Sequence, residues 1–380
     1  MAEQNQSDHR RVRWVIPAVN PQRASLRYRC LYPMAELKKQ GRSAAIWHDD
    51  EPIDDRLTLV FDAWTVFPTV NSSRVAEDLV ALAEKAASLG ATVIVDNCDN
   101  QFASANITPE WAQGLRYLER LARSAAVLVS CSDELAMAMQ KNLRSNAIHV
   151  VIDDPIEQEI VLDGDTLMKR LFSPGRISAW ILAIQHHLKI ALDHARGRTS
   201  IIWFGSHGNN FAPGGMLDVL PLLPVLEAAA AHKNLSLTIV SNNRKKFDEN
   251  FNDSALRIHY VDWNRITFLA ILRMHQIAII PAVPNEFTLC KSSNRLTLST
   301  YHGLAVIADP IPSYRKYANV VALGDWAANL ARLVGSRKAQ HAQVAAARRQ
   351  VLALNHLSVI AKQWDALFFA APIAPSPAKP

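Results

Sequence analysis

The chain is predicted to fold as an α/β protein with two Rossmann-like, doubly wound domains. Short apolar runs alternate with amphipathic helical patterns along most of its 380 residues, which is typical of βαβ units and parallel sheets. The alternation pauses once, over 163–198, and then resumes. Apolar residues make up 49% of the chain, enough to form the cores of two domains.

The first half contains six apolar runs that predict buried strands, at 14–18, 44–47, 57–61, 92–95, 126–129 and 149–152. Amphipathic patterns at 75–89 and 111–122 predict helices between them. The pause at 163–198 is itself helical in pattern, with a break at 173–175. Strands are then predicted at 200–204, 235–240, 257–261, 277–280 and 305–308.

These patterns set the expected domain boundaries. An N-terminal Rossmann-like domain spans 1–165, a helical connector 166–197 and a C-terminal Rossmann-like domain 198–336. A last helix at 337–370 is expected to cross back to the N-terminal domain. The Pro- and Ala-rich tail at 371–380 is expected to be disordered.

Composition excludes several classes of protein. No apolar run approaches the roughly 20 residues of a membrane span, and Arg10, Arg11 and Arg13 are not followed by the apolar segment of a secretion signal. We therefore expect a cytoplasmic protein. The four cysteines lie far apart without a Cys-x-x-Cys pair, which argues against a zinc site and a disulfide framework.

The formal charge is +6, and nine Lys and Arg residues lie between positions 10 and 42. Such a cluster suits an acidic glycan or a lipid phosphate, or is simply a solvated face. Aromatic residues are not interleaved with it, so nucleic-acid binding is not expected. Weak peripheral association with the inner face of the membrane is an alternative to a purely cytoplasmic location. The sequence does not indicate an oligomeric state.

Two segments of the second half have the chemistry of phosphate-binding loops. Residues 290–296 (CKSSNRL) predict the start of a helix that presents Lys291 and two hydroxyls, followed by a stop at Gly303. Residues 203–210 (WFGSHGNN) follow an apolar strand and precede a helix expected near Gly214. Free N–H groups at helix starts and in small-residue loops bind anions. A phosphate-bearing ligand is predicted, although serine caps and a solvated lysine would explain 290–296 alone.

Polar residues also follow most strands of the first domain, at 20–29, 62, 96–100, 130–133 and 153–155. Ligands of open α/β sheets bind outside the carboxyl ends of the strands. These residues are therefore expected to form one rim of a site.

Four segments, in this order, resemble the GT-B glycosyltransferases: 20–29, 95–99 (VDNCD), 203–205 (WFG) and 291–309. The last is similar to the donor-binding helix of the family-4-like (glycosyltransferase group 1) enzymes, with GLAVIA at 303–308 in place of their G-x-P-V-I-A. The resemblance covers nearly the whole chain. It implies two Rossmann-like domains that face a cleft, with the acceptor on the N-terminal side and the nucleotide sugar in the C-terminal domain.

One position departs from that family. Its second glutamate, which binds the donor ribose, is replaced here by Leu298, and Glu286 lies upstream of the expected place for the first. The chain therefore resembles a divergent branch, in which the ribose contact comes from elsewhere or is absent. Retaining and inverting chemistry both stay open.

The resemblance implies a set of donor contacts, namely Gly205, Ser206, His207, Trp263, Asn264, Lys291, Ser292, Ser293, Asn294 and Arg295. Lys291 would stabilise the charge of the leaving diphosphate. Arg295 either contacts the ligand or pairs with a buried carboxylate. Trp263 either stacks on the base or belongs to the core. His207 is a phosphate contact or a solvated turn residue.

An inverting enzyme needs a general base from the first domain, and Asp99 and Asp96 are the candidates. Each is equally well explained as a capping or loop-holding residue. The acceptor side would be lined by Asn20, Arg23, Ser25 and Arg27.

The function implied is transfer of a sugar from a nucleotide-diphosphate donor, UDP- or GDP-linked, to a polysaccharide, lipid-linked or protein acceptor. No metal and no other cofactor is expected. A non-catalytic subunit of the same fold and a sugar-nucleotide epimerase are the alternatives. A dinucleotide-dependent oxidoreductase is excluded because no G-x-G-x-x-G follows the first strand.

Overall fold

The computed structural model describes residues 10–67, 71–103, 108–157, 174–208, 212 and 214–369. The chain divides into two compact units. Unit 1 comprises Met1–Glu157, Cys290–Ser292 and Asn355–Pro380, and unit 2 comprises Gln158–Leu289 and Ser293–Leu354. The tail expected at 371–380 and the first part of the expected connector, 166–173, lie outside the described residues.

Unit 1 contains a six-stranded parallel sheet of β1 (Arg11–Val15), β2 (Ser43–Ile46), β3 (Leu57–Asp62), β4 (Thr92–Asn97), β5 (Val127–Ser130) and β6 (Ile148–Val151). Their order is β2-β1-β3-β4-β5-β6. The order reverses between β1 and β3, which makes that point the topological switch of the sheet.

The α-helices described within the first 157 residues are α1, α2 (Ser73–Ser88), α3 (Pro109–Ser124) and α4 (Asp133–Asn142). Helix α1 has three parts, an α-helical turn Ala24–Leu26, a π-helical turn Arg27–Leu31 and an α-helix Tyr32–Lys39. All five residues of the π-turn are buried. The wider turn inserts two arginines into unit 1, and π-turns of this kind are frequent at functional sites.

Unit 2 contains a second six-stranded parallel sheet of β7 (Thr199–Phe204), β8 (Leu235–Ser241), β9 (Ile258–Asp262), β10 (Ile277–Ile280), β11 (Ala305–Ala308) and β12 (Ala322–Leu323). Their order is β12-β11-β10-β7-β8-β9, which is the Rossmann order with its switch point between β7 and β10. Two parallel doubly wound sheets confirm the predicted fold class. Strand β12 was not predicted, because two residues are too short to form a pattern.

The α-helices described in the rest of the chain are α5 (Pro174–Ala195), α6 (Leu223–His232), α7 (Arg244–Phe251), α8 (Phe268–Arg273), α9 (Asn294–Tyr301), α10 (Trp326–Leu333), α11 (Arg337–Asn355) and α12 (Leu357–Phe369). A 3₁₀ turn, Met216–Leu222, precedes α6 where the sequence predicted an α-helix. No helix among the described residues is both long and apolar enough to cross a bilayer.

The last helical pattern forms two helices, which break at His356. Helix α11 belongs to unit 2 and α12 to unit 1, apart from the shared end at Asn355. In unit 1, the indole of Trp364 meets the edge of Trp14 with ring centroids 6.4 Å apart, and Asp365 pairs with Arg42 at 2.7 Å. Burial of Trp364 is complete, so α12 is part of the core of unit 1.

Helix α5 covers one face of unit 2 with a cluster of histidines. His186 stacks on His275 with centroids 5.7 Å apart and meets His259 edge-on at 5.9 Å. Burial, together with the neighbouring imidazoles, lowers the pKa of His186 to about 3, and burial lowers that of His275 to about 4. Asp193, at 0% exposure, accepts a 3.0 Å hydrogen bond from His259.

The cluster predicts acid sensitivity of unit 2. In the unfolded chain these histidines have pKa values near 6.5. Below that pH the unfolded state therefore binds protons, whereas the folded state, in which the pKa values of the histidines are lower, does not. Stability is therefore complete above about pH 6.5 and falls as the pH drops toward 4, by about 2 kcal/mol per buried histidine at pH 5. Hydrogen exchange of unit 2 amides at pH 7 and pH 5, corrected for the intrinsic rates, measures the loss.

The variant His186→Phe keeps the ring packing and removes one titrating group, so it should have a smaller loss. His341→Phe, at an exposed histidine of the same unit, should behave as wild type. Equal losses in wild type and His186→Phe would contradict the prediction.

Candidate active site

The carboxyl edge of the unit 1 sheet is organised by the buried guanidinium of Arg29. It donates to both carboxylate oxygens of Asp96, at 2.6 Å and 3.0 Å, and to Asp154 at 3.3 Å. Burial opposes the charge of Arg29, but the Asp96 carboxylate raises its pKa above the ordinary value. Asp96 is 4% exposed, so this candidate base is held by Arg29 inside the protein.

The segment Cys290–Ser292 belongs to this edge and not to unit 2. The hydroxyl of Ser132 donates to the Cys290 carbonyl at 2.8 Å, and the Ser292 hydroxyl donates to Asp154 at 2.5 Å. Helix α9 begins only at Asn294, with Ser293 fully buried at its N-cap and making no side-chain cap. The expectation that Lys291 and Ser292 open the helix is therefore corrected, because their side chains bond to unit 1.

Lys291 forms an ion pair with Asp99, one of the two predicted bases. The other oxygen of Asp99 accepts from the indole N–H of Trp64 at 3.0 Å. This ion pair is accessible to solvent, since 20% of the Asp99 side chain and 34% of the Lys291 side chain are exposed. The structure thus brings together two residues that the sequence assigned to different subsites.

A further carboxylate, Asp62, lies at the end of β3, directly opposite Asp96 in the sheet register. Burial raises its pKa to about 6, and the charges of Asp96 and Asp99 add to the rise, while Arg23 and the Trp64 N–H lower it. Arg23 pairs with it at 3.3 Å. A carboxyl group that titrates near neutrality suits acid–base chemistry. The sequence placed Asp62 on the rim, but no pattern indicated its pKa.

The residues predicted for the acceptor side differ in accessibility. Asn20 is exposed and accepts from the Gln22 N–H, and Ser25 is half-buried. Arg27 is 2% exposed, pairs with Glu157 at 2.7 Å and donates to two backbone carbonyls. Its expected role in lining a site is corrected, because the guanidinium is enclosed.

In unit 2 the loop after β7 packs tightly against the turn at Gly214 and Gly215. A Cβ at Gly208 would lie 1.8 Å from the Gly214 carbonyl oxygen, and one at Gly215 would lie 2.4 Å from that of Ser206. Both glycines have positive φ, +78° and +102°. The backbone of the loop after β7 and that of the Gly214–Gly215 turn are therefore too close for side chains at these two glycines. This contact lies at the switch point of the sheet, where α/β proteins bind ligands.

Arg295, in the first turn of α9, points at this loop. Its Nη1 lies 3.5 Å from the place that a Cβ of Gly205 would occupy. Its charge also lowers the pKa of Asp218, which burial raises. Asp218 accepts from the Gly215 N–H at 2.9 Å. Within the described part of the chain, no hydrogen bond engages the Arg295 guanidinium.

Four other predicted donor contacts lie on the same edge of the sheet. The Nδ1 atom of His207 is buried and bonds to no described residue. Trp263 is half-buried, with its ring 6.4 Å from Phe268, which in turn packs on Phe204 at 5.1 Å. Asn264 uses its side chain to accept from the Ile266 N–H. Ser206 is exposed.

The position of the missing glutamate is fully interior. Leu298 is 3% exposed on α9, so a carboxylate there would be buried unless the local packing changed. Unit 2 also has a pocket of about 330 Å³, lined by Asp218, Leu222, Val283, Asp309, Pro310 and Trp326 among others. Asp309 accepts from the Trp326 indole N–H at 2.9 Å and from the Ala282 N–H at 2.8 Å.

Comparison with solved structures identifies the architecture. HepE of Anabaena, solved in complex with UDP and glucose, matches with a TM-score of 0.58 at 12% identity, over 96% of this chain and all of that one. Trehalose-6-phosphate synthase of Burkholderia multivorans matches with a TM-score of 0.52 at 11% identity, over 92% and 84% of the two chains. The fold is GT-B.

A third GT-B match is sucrose-phosphate synthase of Thermosynechococcus elongatus, with a TM-score of 0.51 and 14% identity over 88% of this chain and 75% of that one. No family model and no curated protein matches the sequence. The GT-B fold is thus shared at identities that carry the architecture and not the residues of the site.

The glycine packing of this GT-B chain predicts a specific stability difference. Gly208 and Gly197 have nearly equal positive φ values, +78° and +72°, but a Cβ at Gly197 would meet nothing within 4 Å. Gly197→Ala should therefore cost only the left-handed strain, roughly 1–2 kcal/mol. Gly208→Ala adds a backbone clash and should cost about 2–4 kcal/mol more.

Urea unfolding of both variants, followed by an unfolding signal of unit 2, measures the difference. Equal costs would mean that the loop after β7 relaxes freely away from Gly214.

Proposed function

We propose that this protein is a glycosyltransferase that moves a sugar from a nucleoside-diphosphate donor to a glycan, lipid-linked or protein acceptor. The observation that carries the proposal is the arrangement at the β7–β10 switch point, where the guanidinium of Arg295 and the imidazole of His207 accompany a close-packed glycine loop. Donors of this kind suit a diphosphate, whose charge grows as the glycosidic bond to the sugar breaks.

In this proposal Arg295 replaces Lys291 as the principal phosphate cation. A guanidinium presents a planar fork of donors that matches phosphate oxygens. Arg295 is half-buried and adjacent to the Gly205 loop, whereas Lys291 is paired with Asp99 in unit 1. Trp263 and Asn264 would flank the nucleotide base.

The donor proposed first is UDP-linked. Structures of HepE contain UDP-glucose, or UDP and glucose, and this chain aligns with HepE over nearly its full length. GDP-linked sugars are the second choice. We propose that no metal is required, since Arg295 and the loop amides would balance the diphosphate charge.

Unit 1 would supply the acceptor chemistry. Asp99 is the proposed general base if the reaction inverts, with Lys291 holding one of its oxygens and Trp64 the other. Each oxygen of an ionised carboxylate can accept a second hydrogen bond, so Asp99 can accept from an acceptor hydroxyl while it keeps these contacts. Asp62, with a pKa of about 6, is the second candidate, and Asn20 and Arg23 would contact the acceptor.

A non-catalytic subunit of the same fold is the second candidate function. It is favoured by Leu298, a buried leucine where the family-4-like enzymes have a glutamate. Such a protein would bind nucleotide without turnover.

Nucleotide binding tests the donor site. In a thermal-shift panel of UDP, GDP, CMP, ADP and dTDP, UDP should raise the melting temperature of the wild type by mass action. Arg295→Ala should abolish the shift, because the charge-assisted bonds to the diphosphate are lost. Arg315→Ala, at an exposed arginine of the same unit, is the matched control and should keep it. If no nucleotide changed the melting temperature of a folded sample, the result would favour a protein that does not use a nucleotide sugar.

Catalysis tests unit 1 separately. Asp99→Asn keeps the shape of the side chain and should lower kcat by 10²–10⁴-fold if it is the base, with the UDP shift unchanged. Asp62→Asn is the comparison that distinguishes the two carboxylates. Release of UDP from UDP-sugars, with a panel of acceptors, is the assay. Full activity of both variants would rule out a carboxylate base at this edge.

A further inference from the structure

Helix α5 has a buried stripe on one side and an exposed apolar face on the opposite side. One side packs on the sheet of unit 2 through Ala183, His186, Ile190 and Asp193, all of which are buried. With about 100° of rotation per residue, these four positions form a single stripe. The stripe accounts for the contact of α5 with its own unit.

The other side carries large apolar side chains that remain in solvent. Their exposed fractions are 44% for Trp180, 51% for Ile181, 57% for Ile184, 58% for Leu188 and 54% for Leu192. These residues fall within an arc of about 120° that is centred opposite the buried stripe. Their exposed surface is on the order of 500 Å², the size of the largest apolar patch on a typical monomer, which is often functional.

The exposed charged residues described in α5 and in the turn that follows it are cationic. Lys189, which lies about 60° beyond the arc, between it and the buried stripe, is exposed, as is Arg196 just beyond the helix. The only carboxylate of α5, Asp193, is 0% exposed and bonded to His259. The exposed face of α5 is therefore apolar with a cationic border and a tryptophan near one end.

We propose that this face, defined as the arc from Trp180 to Leu192, docks the protein on a membrane surface that contains anionic lipids. Helices that lie in the bilayer interface combine an apolar arc, cationic flanks and aromatic residues in this way. A second copy of the chain is the less suitable occupant, because a stable dimer buries about 800 Å² on each partner. Among the described side chains of α5, one more large apolar residue is exposed, Leu182 at 56%, and it lies outside the arc. The docking is independent of the proposed enzymatic activity.

Vesicle flotation tests the docking. The full chain is mixed with vesicles of phosphatidylcholine alone, or of phosphatidylcholine and phosphatidylglycerol at about 7:3, in low and high salt. Binding is expected only to the anionic vesicles and should weaken with salt, since the cationic border is screened. Leu188→Glu should reduce the bound fraction at least tenfold. Met137→Glu, at a residue of α4 that is equally exposed (58%), should bind as wild type.

A second readout does not depend on the charged variant. Lipids brominated in the acyl chain should quench part of the tryptophan fluorescence of the wild type, and Trp180→Phe should lose that part while still floating with the vesicles. Failure of the wild type to float with anionic vesicles, or quenching that persists unchanged in Trp180→Phe, would overturn the proposal. So would a dimer in light scattering that Leu188→Glu converts to monomer, since a second copy would then cover the face.

Discussion

Unit 1 depends on the burial of one guanidinium. Arg29 comes from the π-turn of α1, bonds to Asp96 at the end of β4 and to Asp154 after β6, and lies over the Trp364 ring of α12 at 5.3 Å. Removing one partner of a buried charge network costs about 3–5 kcal/mol, because the other charges stay buried without compensation. Through Asp154 the same network holds Ser292, and the next residue back, Lys291, reaches Asp99. The proposed general base is thus positioned by contacts that begin at Arg29.

In unit 2 the proposed donor loop is held in place by close backbone packing. The loop after β7 and the turn at Gly214 and Gly215 approach so closely that no Cβ fits between them, and the left-handed φ values exclude other residues at low cost. Arg295 reaches this loop from α9, and its charge lowers the pKa of Asp218. A fixed array of amides and one guanidinium needs little reorganisation when a diphosphate develops charge, and for this reason the donor site is proposed at this edge.

Helix α5 has two sides that differ sharply in burial. Its inner stripe places imidazoles in a setting that keeps them neutral, with pKa values held down by burial. Its outer arc leaves five large apolar residues in solvent. Both patterns have the same helical period, so each is compatible with a core helix. The difference lies in the partner surface, which periodicity does not contain.

The sequence by itself determined the class of fold and eleven of the twelve described strands to within a few residues, because hydrophobic period is a local property. It also predicted the loop at Gly205 and Arg295 as donor contacts, from turn chemistry and from the resemblance. It did not determine that Lys291 and Ser292 join unit 1, that Arg27 and Asp96 are enclosed, or that Asp62 titrates near pH 6. Those outcomes depend on which charges meet across strands and segments far apart in the chain, such as Asp99 and Lys291, 192 positions apart. Desolvation and Coulomb energy are set by that proximity, which only the tertiary structure decides.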